Sequence, residues 1–202
     1  DEQTSDFMIR QKPGIPPFIR SYGSNIGSPS YNYMLTGAIY LTGLAIKDQK
    51  LRRTGVLLVA SASSAGLLQQ LTKSVFGRAR PVADLGKSAF DPFNNDRNFH
   101  SFPSGHTILA FTNAYAIAKQ VENPWLKGGI YAVGLVPGVS RVWEGQHWFS
   151  DVFLGVALSI ATVESIDRYL DRKYDQKYLQ KDKRLSIDLN FGPGNIGLTA
   201  HF

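Results

Sequence analysis

The stretch LRRTGVLLVASASSAGLLQQLTKSVF, Leu51 to Phe76, sets the fold class. It carries apolar residues mixed with small ones. The same texture fills Tyr31 to Ile46 through Leu35, Ala38, Ile39, Leu41, Leu44 and Ala45, and Lys47-Asp48-Gln49-Lys50 interrupts the two. The pattern predicts two helices joined by a short turn. The charge-free window Thr54 to Thr72 has the length of a membrane span, but it holds Ser61, Ser63, Ser64, Gln69 and Gln70, which fit a buried helix of a soluble bundle better. The later apolar windows, Thr107 to Ala118, Gly128 to Ser140 and Val152 to Val163, fall short of a ~30 Å hydrocarbon core at about 1.5 Å per residue. A soluble or peripheral protein is therefore expected rather than a polytopic one.

Further helices are expected over Ser104 to Val121, near Trp125 to Val142, and from about Trp148 to Leu179. Residues 1–30 carry Pro13, Pro16, Pro17 and Pro29 with Gly14, Gly23 and Gly27, a density of breakers that predicts an irregular arm. Gly77 to Pro103 has little periodicity, and a loop of that length inside a compact domain is usually functional or disordered. At the other end Leu185, Ile187, Leu189 and Phe191, then Ile196, Leu198, Ala200 and Phe202, alternate about Gly192-Pro193-Gly194-Asn195, which reads as a β-hairpin. The expected organisation is thus an N-terminal arm (1–30), an all-α helical domain (31–184) and a short C-terminal β-hairpin (185–202).

Composition narrows the chemistry. In 202 residues there is no Cys, which removes thiolate nucleophiles, iron–sulfur clusters and Cys-ligated zinc. A charge of +6, from 22 Lys and Arg against 16 Asp and Glu, favours anionic partners. At 43% hydrophobic and 19% charged the chain is no disordered tail, and a mean hydropathy of -0.15 is low for a chain mostly immersed in lipid. The run Arg168 to Arg184, seven basic and three acidic residues with Tyr169, Tyr174 and Tyr178, reads as a solvated helix end or a membrane-surface foot before a nucleic-acid patch. Asp1 opens the chain with no basic-then-apolar leader before it, as in a processed mature form or a trimmed one. The first case would put the protein in a periplasm or cell envelope.

Three short segments hold the reactive side chains. In Lys73-Ser-Val-Phe-Gly-Arg-Ala-Arg80-Pro81, Lys73 and Arg80 would share a face if the helix persisted through Gly77, one a point charge and the other a planar fork for phosphate oxygens. In Ser101-Phe-Pro-Ser-Gly-His-Thr107, Ser104 is placed to cap a helix whose free N–H groups at Gly105 and His106 would face an anion, with His106 able to protonate a leaving oxygen. In Ser140-Arg-Val-Trp-Glu-Gly-Gln-His147-Trp-Phe-Ser-Asp151, His147 and Asp151 stand i, i+4, so the carboxylate can fix one ring N–H and leave the other nitrogen free as base or nucleophile. His106, His147 and Asp151 could also supply three metal ligands. The cations expected beside them argue against that, and no metal or other cofactor is expected. His100 reads as an exposed loop residue and Glu144 as a solvated carboxylate. Phe90, Phe93, Phe99, Phe102, Trp143 and Trp148 read as packing and pocket walls.

Taken in order, Lys-x6-Arg-Pro, Pro-Ser-Gly-His and Ser-Arg-x5-His-x3-Asp resemble the signature of the type 2 phosphatidic acid phosphatase (PAP2) superfamily, which includes class A bacterial acid phosphatases, lipid phosphate phosphatases and vanadium haloperoxidases. The resemblance covers Lys73 to Asp151 by motif. It implies an all-α bundle and a metal-independent hydrolysis of phosphomonoesters or diphosphates. His147 would form a phosphohistidine, Asp151 would orient it, and His106 would act as acid and then base. Lys73, Arg80, Ser104, Gly105 and Arg141 would hold the phosphoryl oxygens. Phe102 before Pro103 and the apolar surroundings tilt the expected substrate toward lipid phosphates. The other readings are a broad-specificity soluble acid phosphatase, a vanadium-dependent haloperoxidase and a non-catalytic anion- or membrane-binding module.

Overall fold

The structure, a computed structural model, describes residues 1–182, 186–192 and 195–201, with side chains described through Lys173. Seven α-helices follow in order: α1 Glu2–Gln11, α2 Pro17–Ile26, α3 Pro29–Ala45, α4 Gln49–Phe76, α5 Gly105–Ala118, α6 Pro124–Trp143 and α7 Phe149–Asp182. Two strands, β1 Ser186–Gly192 and β2 Asn195–His201, come last. The chain divides into two compact units, Asp1–Ile166 and Asp167–Phe202. The boundary falls inside α7, where the sequence becomes mixed-charge, rather than at 184. In the second unit β1 and β2 pair antiparallel, Leu189 opposite Leu198. The turn expected at Gly192-Pro193-Gly194-Asn195, together with Leu185 and Phe202, lies wholly or partly outside the described residues.

The five helices expected from periodicity are present, and their ends follow from local chemistry. Asp48 accepts a hydrogen bond from the Leu51 N–H at 2.8 Å and starts α4. Asn123 accepts from Trp125 and Leu126 at 2.9 and 3.2 Å, with Pro124 following, and starts α6. The N-terminal arm corrects the sequence expectation: residues 1–30 are mostly helical, because the breakers sit at the ends of α1 and α2 rather than inside them. Pro13 and Gly14 form the 3-10 turn between these helices, Pro17 begins α2 and Gly27 ends it. Gly23 is internal because α2 packs there on α6: a Cβ would lie 2.4 Å from Ser140 Oγ. The arm also satisfies its neighbour. Pro137 inside α6 cannot donate to the Val133 carbonyl, and the Tyr22 hydroxyl reaches that oxygen at 3.4 Å.

Helix α5 is the centre of the first unit, with ten of its fourteen residues buried. It packs against α3, α4 and α6. Gly138 admits its first turn, since a Cβ there would stand 2.5 Å from Thr107 Oγ1. Outer faces are strongly apolar: Leu67 is 64% exposed, Leu71 58% and Phe153 70%. Among the described residues two helices, α4 and the Phe149–Lys173 part of α7, are long and apolar enough to cross a membrane, and only 28% of the most apolar α7 window is buried. The expectation that such windows belong to buried helices of a soluble bundle is therefore not supported by where their side chains point.

Helix α4 ends on Gly77, which takes a left-handed conformation (φ 56°) and donates to the Lys73 carbonyl at 2.9 Å. A Cβ at this position would lie 1.8 Å from the Asp91 carbonyl oxygen. Gly77→Ala is expected to destabilise the fold by about 2–4 kcal/mol, combining left-handed strain with a backbone clash, as read by thermal unfolding. An unchanged melting temperature would contradict this account of the α4 terminus.

Candidate active site

Because α4 stops at Gly77, Arg80 does not continue its helical face. Instead the segment from Gly77 to Pro103 folds as a strap across the ends of the helices. Backbone bonds hold it, among them Ala79 N–H to Ala89, Arg80 N–H to Asn98 and Ser101 N–H to Arg78, at 2.9, 2.7 and 3.0 Å. The strap buries Arg78. Its Nη1 donates to Asp151 Oδ1 at 2.5 Å and to Ser150 Oγ at 2.7 Å, its Nε to the Lys87 carbonyl at 3.0 Å, and its Nη2 to Asp1 Oδ2 at 3.0 Å. The guanidinium lies 5.5 to 5.9 Å from the ring centroids of Trp148, Phe90 and Phe102, which compensates the charge further.

Asp151, in the first turn of α7, has no exposed surface. It accepts from Arg78, from Ser101 Oγ at 2.5 Å and from the Trp148 N–H at 2.9 Å, and its own carbonyl accepts from the Ser104 N–H at 3.1 Å. One residue thus joins the strap, the start of α7 and, through its main-chain carbonyl, the start of α5.

His147 precedes α7 and is buried. Its orientation adds a main-chain partner to the expected carboxylate. Nδ1 lies 2.6 Å from the Ser101 carbonyl oxygen and 3.6 Å from Asp151 Oδ2. A carbonyl oxygen can only accept, so Nδ1 carries the proton and Nε2 keeps its lone pair. Asp151 acts on the ring directly, as its i, i+4 partner, and through Ser101, whose hydroxyl it holds while the Ser101 carbonyl holds the ring. Burial pulls the His147 pKa down to about 4; Asp151 opposes that shift and Lys73 reinforces it. The ring is neutral at neutral pH.

His106 stands in the first turn of α5, under the end of α2. A Cβ on Gly27 would be 2.6 Å from its Cδ2, and the ring has a hydrogen bond with the Ser24 backbone. Burial lowers its pKa to about 4, helped by the positive field of Arg141, His147 and Lys73. The first-turn N–H groups of Gly105 and His106 have no intrahelical acceptor. Ser104 caps by position only: its hydroxyl accepts from Thr107 at 2.9 Å and makes no capping bond.

The cations gather at the same place. Lys73 feels Arg80, Asp151 and Arg141 electrostatically, and Arg80 in turn feels Arg141 and Asp151. Arg80 Nη1 donates to Gln146 Oε1 and Arg141 Nη1 to Glu144 Oε2. The Nε donors of both arginines are buried without a partner. Buried donors without acceptors are costly, and two of them among three cations beside a helix N-terminus fit an oxyanion. His100, by contrast, turns inward within the strap with Nε2 2.8 Å from the Asn94 carbonyl oxygen, and Glu144 is the ion-pair partner of Arg141.

All eight sequence-predicted residues therefore lie in or against one cup. Sequence reasoning missed Arg78, which was passed over between Lys73 and Arg80, and the carbonyl of Ser101. Arg78 carried a signal, being the third cation of a Lys-x4-Arg-x-Arg run, but a backbone carbonyl carries none.

A helical bundle presenting two imidazoles and an oxyanion cup defines a class of phosphate-handling proteins, and the comparisons with known proteins agree. The model of the PAP2 superfamily matches residues 54–173, and the chain belongs to that family. Among curated relatives, the lipid A 1-phosphatase of Rhizobium etli is 38% identical over 107 residues, covering 51% of this chain and 44% of the relative. The undecaprenyl-diphosphatase of Sulfolobus acidocaldarius is 31% identical over 121 residues, covering 58% of this chain and 55% of the relative. The chain thus spans about half the length of these relatives. Among solved structures, a transmembrane PAP2 type phosphatidylglycerolphosphate phosphatase from Bacillus subtilis superimposes with a TM-score of 0.55 at 23% identity, covering 87% of this chain and 86% of the other.

Two outcomes follow from the buried groups. Arg78→Leu leaves Asp151 as an uncompensated buried charge and is expected to cost about 3–5 kcal/mol in denaturant or thermal unfolding; a loss below about 1 kcal/mol would contradict the clamp. Both imidazoles have folded pKa values of about 4, against about 6.5 in the unfolded chain. The unfolded state then binds more protons between these values, so stability is full above about pH 6.5 and falls as the pH drops toward about 4. His147→Gln or His106→Gln should flatten that part of the stability–pH curve relative to wild type.

Proposed function

We propose that this protein hydrolyses a lipid phosphate through a phosphohistidine on His147, at the outer face of a cell membrane. The observation that carries the reading is the Nδ1–H bond to the Ser101 carbonyl, which leaves Nε2 as a neutral nucleophile beside unpartnered arginine donors. The phosphoryl group would rest on Lys73, Arg80, Arg141 and the N–H groups of Gly105 and His106, with Ser104 at the helix start. In the first step the Nε2 lone pair attacks phosphorus, the P–O bond to the alcohol breaks, and His106 gives its proton to the departing oxygen. Water then attacks the phosphohistidine, His106 takes the water's proton, the P–N bond breaks, and phosphate leaves. Because phosphoryl transfer needs chiefly positioning and charge neutralisation, the cations and helix N-terminus supply its main demand.

His106 must be protonated for the first step, yet in the empty site its pKa is about 4. An arriving phosphate dianion opposes the field of Lys73 and Arg141 and raises it. The basic limb of kcat is therefore expected at higher pH than that of kcat/KM, since the former reports the complex and the latter the free protein.

Three observations support a lipid substrate and a membrane location: the names of the relatives, the two helices long enough to span, and the apolar side chains exposed along them. His147→Ala should abolish phosphate release from a lipid phosphate in detergent and from p-nitrophenyl phosphate. His106→Ala should lose far more on the lipid, whose alkoxide leaves poorly, than on p-nitrophenolate, which needs little protonation. Normal turnover by His147→Ala would overturn the reading.

A further inference from the structure

A cavity of about 830 Å³ opens among α2, α3, α5 and α6, outside the phosphate cup. Its walls are hydrocarbon from residues such as Ile26, Leu35, Ile117 and Val133, with two carboxamides among them, Asn32 and Asn113. These two side chains are 2% and 5% exposed, and the Oδ1 of each is buried without a hydrogen-bond partner. Asn32 Nδ2 donates to the Leu109 carbonyl at 2.7 Å. Leu109 lies one turn before Asn113 on α5, so the two amides stand at one level of the cavity wall. A buried acceptor asks for a donor; the Tyr22 hydroxyl in the wall is committed to the Val133 carbonyl, and among the described residues neither amide oxygen has a partner.

The cavity is aligned with the catalytic groups. On α5, His106, Ala110, Asn113, Ala114 and Ile117 follow at helical spacing, and on α6 so do Arg141, Pro137, Gly134 and Ile130. The stripes that carry His106 and Arg141 at the cup thus continue into the cavity wall, and on α2 Ile26 of the wall adjoins Gly27, which packs on His106. His106 marks the side on which the alcohol departs, so the cavity lies where the alcohol's hydrocarbon would run. Asn113, seven residues beyond His106, lies ~10 Å farther along the helix.

We propose that this cavity binds a hydrocarbon chain of the substrate and that Asn113 and Asn32 select a chain bearing a hydrogen-bond donor, a hydroxyl or amide N–H, about 10 Å from the scissile phosphate. The inference rests on the phosphatase reading above and deepens it: a plain alkyl chain fills the volume but leaves both amide oxygens unmet.

The test measures phosphate release by the full chain in detergent from three lipid phosphates of matched length: a plain acyl ester, the same ester with a hydroxyl at that distance, and an amide-linked analogue. The donor-bearing lipids should exceed the plain one by about tenfold in kcat/KM, mostly through KM, as for one net hydrogen bond. Whichever analogue is favoured identifies the donor. Asn113→Leu should erase the ratio between lipids, and a set of plain and hydroxylated lipids with the hydroxyl moved along the chain gives a wild-type optimum that needs no variant. Equal kcat/KM for all lipids in the wild type, or a ratio that survives in Asn113→Leu, would overturn the inference and leave a trapped water as the occupant. Hydrolysis of p-nitrophenyl phosphate by the wild type separates the two failures, because its loss would overturn the phosphatase reading instead.

Discussion

Asp151 has no contact with solvent and holds three donors, from Arg78, Ser101 and Trp148, that come from the strap and from the start of α7. A carboxylate this buried is tolerable only when paired and fully hydrogen-bonded, so the strap cannot move without exposing a charge. The Ser101 carbonyl inherits that rigidity, and through it so does the His147 ring. The placement of the His147 ring is thus a consequence of satisfying one buried anion.

The same burial divides the electrostatics. The arginines keep a partner at one end, Gln146 for Arg80 and Glu144 for Arg141, and each has a buried Nε with no partner among the described residues. The imidazoles, unable to keep a charge in that positive field, are held neutral. For His147 this is the state a nucleophile needs. Under the proposed mechanism, His106 would gain its proton only as phosphate arrives, which would couple acid catalysis to substrate occupancy.

Much of this was legible in the sequence. Periodicity located α3 to α7, and the three motifs named residues that the fold brings together. What was not legible is instructive in physical terms. Breaker density in residues 1–30 suggested an irregular arm, yet Pro17 and Gly27 mark helix ends, and Gly23 and Gly27 mark close contacts with Ser140 and His106. Local propensity cannot show which glycine is a boundary and which is a contact. The i, i+4 spacing of His147 and Asp151 pointed to their direct interaction, but the nearer acceptor at Nδ1 is the Ser101 main-chain oxygen, which side-chain spacing cannot show. Side-chain composition likewise could not tell whether α4 and α7 bury their apolar residues or present them outward.

Helix α2 links the cup to the apolar cavity, lining the cavity through Tyr22 and Ile26 while Gly27 at its end packs on His106. The most direct measurement is to quench a reaction with radiolabelled phosphate ester and map the acid-labile phosphate by residue and ring nitrogen. The account predicts label on Nε2 of His147; label on Nδ1, or turnover with no phosphorylated histidine, would contradict it.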